Sequence, residues 1–320
     1  MKWHETLKIW AFVLLGLGVL MMACTSGEPT EGPVDRTPTR VDPGQELTVE
    51  DYTETIESNS QDVHAYFNRG LAHAQSGNLE QAIEDFTKAI ELDPDYALAY
   101  GNRAIAHDLL GNQEEAIRDF DKVIELEPGD ALAYFNRGNT HKNSGHPEQA
   151  VRDYTKAIEL DPDFVPAYFN RGNAYFDAGE LQQAIQDYSK VIESEPGFVN
   201  ARFNRGNAYY YSGELEQAIR DYTRVVELDP AFASAYFNRG LAHYDSGNLE
   251  QAIEDFTKAI ELAPEDALSY FNRGNAYYDA GNPELAVRDF ERYLELAPAD
   301  APNLEGVKKM LDQLKPEIMP

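Results

Sequence analysis

The chain has 320 residues, of which 42% are hydrophobic, and it carries 27 Lys and Arg against 56 Asp and Glu. The resulting formal charge of -29 repels phosphate backbones, so nucleic acid is excluded as an expected partner. Such acidity keeps a long surface soluble, or it steers a basic partner towards the protein. Cys24 is the only cysteine, which excludes an intrachain disulfide and a thiolate metal cluster.

Residues 1–23 have the order of a secretory signal peptide. Lys2 and Lys8 precede an apolar run that is shorter than the roughly 20 residues of a membrane-spanning helix. The run ends with the small Ala23, directly before Cys24. A charged start, an apolar middle and a small residue before a cut predict that this segment is removed.

The run from Leu20 to Cys24 reads Leu-Met-Met-Ala-Cys and resembles the lipobox of bacterial lipoproteins, in which the cysteine thiol is acylated. Met21 departs from the leucine that is more common there, and Met22 is bulky. The resemblance implies a lipidated Cys24 as the new N-terminus, anchored to the bacterial cell membrane or outer membrane. The alternative is an uncleaved signal anchor, and either way the body of the protein lies outside the cytoplasm.

Two short segments are predicted between the anchor and the main body. Residues 24–45 are rich in Pro, Gly, Thr and charge, which predicts a disordered linker behind the lipidated cysteine. Residues 46–62 contain the pattern Glu50–Glu57, which returns 34 residues later as Glu84–Glu91. This segment is therefore predicted to be a lone helix that caps the N-terminal end of a repeat array.

Residues 63–300 consist of one sequence unit that is repeated seven times. The dipeptide Asn-Arg recurs every 34 residues, and so does a proline near the end of each unit. A fixed period without insertions predicts a repeat array and leaves no room for a second domain. The predicted units are 63–96, 97–130, 131–164, 165–198, 199–232, 233–266 and 267–300.

Each unit is predicted to be a helical hairpin. Apolar residues recur at helical spacing on both sides of a central glycine, which is Gly77 in the first copy. Asn78 is the expected N-cap of the second helix, and Pro94 ends that helix because it has no amide donor. One hairpin cannot cover its own apolar face, so neighbours must stack into an all-α solenoid of seven helix-turn-helix units.

The C-terminal residues 301–320 predict a second cap. Leu304, Val307, Leu311 and Leu314 form a one-sided apolar stripe at helical spacing. Such a helix shields the last repeat of an array from solvent.

The unit resembles the tetratricopeptide repeat (TPR) over Val63–Asp300. In the first copy the signature is carried by Tyr66, Gly70, Gly77, Ala82, Phe86, Ala89 and Pro94. The resemblance implies a right-handed superhelix whose concave groove binds a peptide or a partner protein. In the first copy, the side chains expected to face this groove are His64, Asn68, Leu71 and Gln75.

Asparagines are the main candidate ligands of the predicted groove. An amide donates and accepts hydrogen bonds at once, which suits the backbone of an extended peptide, and the pattern resembles the asparagine ladders of some TPR grooves. The alternative is that the first of two rows bonds neighbouring helices. The first row is Asn68, Asn102, Asn136, Asn170, Asn204, Asn238 and Asn272, and the second row is Asn139, Asn173, Asn207 and Asn275.

Aromatic residues flank the same face. They favour a hydrophobic or Pro-rich guest, or they pack between repeats. The phenylalanines also occupy the lysine positions of the family's carboxylate clamp, which binds chaperone C-termini. Specificity for such C-termini is therefore not expected. The residues are Phe67, Phe135, Phe169, Phe203, Phe237 and Phe271, with Phe176, Tyr210, Tyr244 and Tyr278 further along the helices.

Seven arginines, which replace the family's usual leucine, are matched copy for copy by seven aspartates. An arginine at an apolar core position needs a partner, because an unpaired buried charge is costly. The pattern therefore predicts a structural ladder of ion pairs. The pairs are Arg69 with Asp85, Arg103 with Asp119, Arg137 with Asp153, Arg171 with Asp187, Arg205 with Asp221, Arg239 with Asp255 and Arg273 with Asp289.

No motif for catalysis occurs in the sequence: a Gly-rich phosphate loop, a nucleophile elbow and an HExxH pair are absent. His73, His107, His141 and His243 take a position that other copies fill with tyrosine, which indicates core packing. We therefore expect no catalytic activity, no cofactor and no metal. The predicted function is a membrane-tethered scaffold that binds a protein or peptide for assembly of a cell-envelope complex, and the alternative is glycan or small-molecule binding.

Overall fold

The computed structural model describes residues 48–301 and 303–318, and every regular element in that part of the chain is an α-helix. The predictions for residues 1–45, including lipidation of Cys24, lie outside the described residues. Among the described helices, none combines the length and the apolar composition that crossing a bilayer requires. The helices are α1 (Val49–Ser58), α2 (Val63–Gln75), α3 (Leu79–Leu92), α4 (Ala97–Leu109), α5 (Gln113–Leu126), α6 (Ala131–Asn143), α7 (Pro147–Leu160), α8 (Val165–Asp177), α9 (Leu181–Ser194), α10 (Val199–Tyr211), α11 (Leu215–Leu228), α12 (Ala233–Asp245), α13 (Leu249–Leu262), α14 (Ala267–Asp279), α15 (Pro283–Leu296) and α16 (Leu304–Ile318).

Helices α2 to α15 form seven hairpins, one for each repeat. The turn inside the first hairpin passes through Gly77, whose φ of 78° lies in the left-handed region that favours glycine. Asn78 is the N-cap residue of α3, as predicted, but its side chain makes no capping hydrogen bond. The reason is that its ψ is 68°, not the extended value of a capping residue, and only its carbonyl accepts from Ala82 N, at 3.1 Å.

The hairpins stack with their first helices on the inner side. Successive first helices contact each other from α2 to α14, whereas within residues 48–301 no two successive second helices do. The stack is therefore tighter on the side of the first helices, which makes that side concave. The all-α solenoid predicted from the period of 34 residues is thereby confirmed.

A buried ring from each second helix fills the space inside its own hairpin. In the fifth repeat, the Tyr222 ring lies so close to α10 that a Cβ on Gly206 would meet its Cε1 atom at 2.7 Å. The close approach of the ring favours glycine at this position, because glycine has no Cβ. The equivalent rings are Phe86, Phe120, Tyr154, Tyr188, Tyr222, Phe256 and Phe290.

Gly206→Ala should lower the free energy of unfolding by about 1–3 kcal/mol, because the added methyl overpacks the Tyr222 ring. The second repeat already has Ala104 here, buried against Phe120, so the backbone can adapt in part. Gly101→Ala is the control, since its Cβ would meet only Val123 Cγ2, at 3.8 Å. That change should stabilise α4 by roughly 0.5–1 kcal/mol. Urea unfolding measures both, and shifts of the same sign would contradict this packing.

The N-terminal helix α1 takes the place of a second helix in front of the first repeat. Thr53 accepts a hydrogen bond from Arg69 Nη1 at 3.1 Å, as Thr87 of α3 accepts one from Arg103 Nη1 at 2.9 Å. α1 therefore offers α2 the same contact that each second helix offers the next repeat.

At the other end, α16 covers the last hairpin. Val307, Leu311 and Leu314 are buried against Phe290 and Tyr293 of α15. The helix runs from Leu304 to Ile318, within the segment 301–320 that was predicted to form the cap. The apolar side of the last repeat is thus closed off by the chain itself.

Candidate functional site

The seven Arg–Asp pairs are formed, each as a two-point ion pair between the two helices of one repeat. In the fourth repeat, Arg171 Nε and Nη2 each donate to a carboxylate oxygen of Asp187 at 2.8 Å. Burial raises the pKa of the Asp187 carboxyl, and Arg171 opposes that rise. Burial acts to lower the pKa of Arg171, but Asp187 outweighs it and the pKa lies above its ordinary value.

Each of these arginines has a third partner in the preceding second helix. Arg171 Nη1 donates to Thr155 Oγ1 at 3.1 Å, and its guanidinium lies 5.6 Å from the centre of the Tyr168 ring. The ladder therefore joins successive repeats as well as the two helices of one repeat. Sequence reasoning missed these acceptors, although their period of 34 was visible at Thr53, Thr87, Asp121, Thr155, Ser189, Thr223 and Thr257.

Six of the eleven candidate asparagines bond each other across repeat junctions. An Nδ2 of the first row donates to an Oδ1 of the second row at 2.8–3.0 Å in each case. The alternative interpretation, in which the first row bonds neighbouring helices, describes these junctions. The donor and acceptor pairs are Asn170 with Asn139, Asn204 with Asn173 and Asn238 with Asn207.

The second-row asparagines at these junctions also accept from a buried tyrosine. Tyr222 donates its hydroxyl to Asn207 Oδ1 at 2.7 Å, and Tyr154 and Tyr188 donate to Asn139 and Asn173 at 2.8 Å. Burial raises the pKa of all three phenols. Three repeats with phenylalanine have Leu71, Ile105 or Leu241 in the asparagine's place, and the exception is Asn275 opposite Phe290.

The other five candidate asparagines lie outside these networks. Asn102 and Asn272 donate to the carbonyls of Leu98 and Leu268 in their own helices, both at 2.8 Å. The remaining three are partly exposed on first helices and make no hydrogen bond to an asparagine of a neighbouring repeat. They are Asn68, Asn136 and Asn275.

The phenylalanines of the first helices pack against rings of their own repeat, and Phe67 also lies in one core cluster with Ala99 of the next repeat, as in the packing role that the sequence left open. Phe169 lies between two rings, with its centroid 6.1 Å from that of Tyr188 and 5.0 Å from that of Phe198. Further along the helices, Tyr210 and Tyr244 donate their hydroxyls to Asp245 and Asp279 of the next first helix. Tyr278 is exposed.

The concave face also carries a stripe of exposed apolar side chains on α4. Leu98, Ile105 and Leu109 are 58%, 42% and 52% exposed, and their spacing of seven and four residues places them on one side of the helix. They occupy the positions of His64, Leu71 and Gln75 in the first repeat. Leu132 and Leu268 are exposed on other first helices. Sequence reasoning identified this face but missed its apolar character in α4.

The four core histidines lie beside the ion-pair ladder. His141 Nε2 is 3.7 Å from Asp153 Oδ2, while the buried Nδ1 atoms of all four have no hydrogen-bond partner within the described residues. Burial lowers the pKa of His107, His141 and His243. Within residues 48–301 and 303–318, no three His, Asp or Glu side chains are grouped to hold a metal ion.

Models of one repeat family match the chain from residue 63 to residue 300. The chain belongs to the tetratricopeptide repeat family. The first, second, third and seventh TPR units have the bounds that the sequence period gives. The model of the tetratricopeptide repeat matches residues 63–96, 97–130, 131–164 and 267–300, a second one matches 153–186, and a TPR repeat model matches 172–211, 206–247 and 240–281.

Solved TPR structures resemble parts of the chain. The TPR protein YrrB, described as having an unusual peptide-binding site, is 26% identical, with a TM-score of 0.52 over 59% of this chain and 97% of that chain. MamA from Desulfovibrio magneticus is 26% identical, with a TM-score of 0.51 over 52% and 94%. The C-terminal part of a TPR protein from Cytophaga hutchinsonii, 22% identical with a TM-score of 0.64 over 75% and 98%, shares the fold. None of the curated proteins matches the chain.

Proposed function

We propose that this TPR protein is a membrane-tethered scaffold, without catalysis of its own, that binds an extended peptide or partner protein on its concave face. The observation that carries the proposal is the exposed apolar stripe of Leu98, Ile105 and Leu109 on α4. Large exposed apolar side chains aligned on one side of a helix in a water-exposed groove favour an interaction site. YrrB, whose fold this chain shares, is described as having a peptide-binding site, which supports the same reading.

The buried polar groups support a scaffold more than a reactive site. Arg171 and its equivalents are held by aspartates, and the junction asparagines are held by tyrosines and by one another. These groups serve stacking, so binding is left to the surface of the first helices. The same contacts weaken the glycan alternative, because most of the amides and rings proposed to hold a sugar are committed to the fold.

The charge on the first helices favours a basic or neutral partner. Apart from the ladder arginines, these helices carry two cations, Lys142 and Arg202, and Arg202 is mostly buried near Asp221. The same helices carry four acidic residues, Asp108, Asp177, Asp245 and Asp279. An acidic groove attracts a cationic segment and repels an acidic one.

Tethering is proposed from the sequence at Cys24. Acylation by two or more chains holds a protein stably at a bilayer, whereas one chain is marginal. The linker 24–45 would let an acidic repeat domain stand away from an anionic surface, which suits the assembly of a cell-envelope complex. Cys24→Ser should release the protein from the membrane fraction, and retention of that variant with an unprocessed N-terminus would instead support a signal anchor.

Affinity capture from detergent-solubilised native membranes tests the binding proposal. The parent is compared with a variant that carries Leu98→Ser, Ile105→Ser and Leu109→Ser. The expected result is that specific envelope proteins are lost from the variant, because its apolar stripe is gone while its melting temperature is unchanged. Mass spectrometry identifies the captured proteins.

The matched control carries Leu228→Ser and Leu285→Ser, two exposed apolar side chains on second helices. This variant should capture the same proteins as the parent. Loss of binding in the control but not in the α4 variant would overturn the assignment of the concave face. The same captured set in all three samples would also overturn it.

A further inference from the structure

The repeat junctions contain a recurrent seat for an aromatic ring. At four junctions, a ring at the last position of one repeat lies against the phenylalanine of that repeat's first helix, with 5.0 Å between ring centroids. The chain therefore shows which group this seat accepts. The pairs are Phe67 with Tyr96, Phe135 with Phe164, Phe169 with Phe198 and Phe203 with Phe232.

The seat between the sixth and seventh repeats lacks its ring. Asp266 stands at the last position, and its carboxylate turns to α14, where it accepts from Leu268 N at 3.3 Å and Ser269 N at 3.2 Å. Phe237 is still present and packs on Phe256 with 5.8 Å between centroids. A cavity of about 210 Å³ remains, lined by Phe237, Ala259, Ala263, Asp266 and Leu268 among others.

The cavity has the size and lining of an aromatic site. Apolar cavities of about 150 Å³ bind benzene, so the available volume is sufficient for a phenyl or phenol ring. Phe237 provides the ring wall, and Leu268, which is exposed on the first helix α14, is part of the lining. A ring that enters from the groove would pack on Phe237 as the tilted Phe232 ring packs on Phe203.

We infer that this seat binds the Phe or Tyr side chain of a partner peptide, next to a basic residue of that peptide. The inference rests on the proposed function of the groove. The preference for a basic neighbour follows from charge: Asp266 lies at the cavity, and no Lys or Arg lines it. On α12 and α14, the only Lys or Arg residues are Arg239 and Arg273, and both are engaged by aspartates.

The junction between the second and third repeats shows why one seat is singled out. Asp130 replaces the ring there as well, but Gly101 replaces the phenylalanine of the first helix, so no aromatic wall remains. Asp130 caps α6 by accepting from Leu132 N at 2.9 Å, much as Asp266 caps α14. This junction therefore supplies a control in which the same substitution removes the same kind of cap.

The test uses methyl NMR of the folded repeat domain in the full chain, with N-acetylphenylalanine amide as the probe. In the parent, the methyl signals of Leu268 and Ala263 should shift and saturate in the millimolar range, as expected for a single ring in a small pocket. Asp266→Phe fills the seat from inside and should weaken the response by roughly tenfold or more. Asp130→Phe should leave it unchanged, and N-acetylalanine amide should give no shift.

The preference of the seat for a basic neighbouring residue is tested with two further probes, N-acetyl-Phe-Lys amide and N-acetyl-Phe-Glu amide. The lysine probe should bind more tightly, and the difference should shrink as salt is added. Equal or reversed affinities would overturn the basic-neighbour part of the inference. An undiminished response in Asp266→Phe, or shifts confined to methyl groups remote from the seat such as Ile105, would overturn the seat itself.

This assay separates the seat from the wider function because it needs no partner protein. Saturable shifts at Leu268 without any α4-dependent capture would leave the seat standing and remove the proposed scaffold role. Capture of partner proteins that depends on α4, without saturable shifts at Leu268, would leave the scaffold role standing and remove the seat. Melting curves check that Asp266→Phe is folded, and the comparison of Leu268 with Ile105 in the parent keeps the inference testable if that variant is not.

Discussion

Replacing Asp187 by alanine is expected to lower the free energy of unfolding by about 3–5 kcal/mol, because it leaves the Arg171 charge inside the repeat without its carboxylate. Asp187 is 5% exposed, and Arg171 would keep the Thr155 hydroxyl at 3.1 Å and the faces of two tyrosine rings, Tyr168 and Tyr175. None of these groups carries a compensating negative charge. Thermal and urea unfolding of the isolated variant measure the loss.

The control for this prediction is Glu193→Ala, which removes the partner of Lys190 on the exposed side of α9. The Lys190 Nζ to Glu193 Oε2 distance is 3.2 Å, and both side chains are exposed. Surface pairs of this kind contribute about 0–1 kcal/mol, so the change should be small. If Asp187→Ala were no more destabilising than Glu193→Ala, the ladder would not support the fold.

The third repeat offers a graded comparison. Arg137 Nη1 also contacts the Asp121 carboxylate, at 2.6 Å, so Asp153→Ala leaves that arginine a charged partner and should cost less than Asp187→Ala. Removing both charges, as in Arg171→Leu with Asp187→Ala, should recover most of the free energy of unfolding that Asp187→Ala alone loses. Burial raises the pKa of Asp187 despite Arg171, which means that desolvation opposes the pair, and an apolar replacement avoids it.

Asn207→Leu is expected to lower the free energy of unfolding by about 2–3 kcal/mol, because it strands a buried hydroxyl. Tyr222 is fully buried and donates to Asn207 Oδ1 at 2.7 Å, and Asn238 Nδ2 donates to the same oxygen at 2.8 Å. Leucine offers neither group an acceptor. The loss is measured by urea unfolding.

Adding Tyr222→Phe to Asn207→Leu should restore most of the stability. The double variant then has the same two residues as the sixth repeat, where Leu241 packs against Phe256. The double-mutant cycle should show a coupling of roughly 1–2 kcal/mol between the two positions. Additive effects, with no recovery in the double variant, would contradict the hydroxyl–amide pairing.

The apolar residues and the Arg–Asp pairs that recur in all seven copies were the ones whose structural role could be predicted from the sequence. The helices follow from the apolar period, and the pairing of Arg69 with Asp85 follows because an arginine in a core position needs a carboxylate. The asparagines could not be assigned in the same way. An amide that bonds a neighbour and one that bonds a ligand give the same periodic pattern, and Asn170 meets its partner Asn139 only after stacking.

The features most relevant to binding are those that interrupt the period. Ile105 and Leu109 put exposed apolar surface into the groove in one repeat, and Asp266 leaves a ring seat empty in another. Shared residues serve stacking, because every junction must satisfy the same contacts. Departures at the concave face are under no such constraint, so we expect partner recognition to depend on them.

The most direct test of the account is site-specific photo-cross-linking in native membranes, with a benzophenone side chain placed at Leu109 or at Leu285. Leu109 lies on the concave face of α4, and Leu285 is exposed on the second helix α15. If the partner binds in the groove, a discrete cross-linked protein is expected from position 109 and none from position 285. A cross-link to the same protein from position 285, with none from position 109, would contradict it.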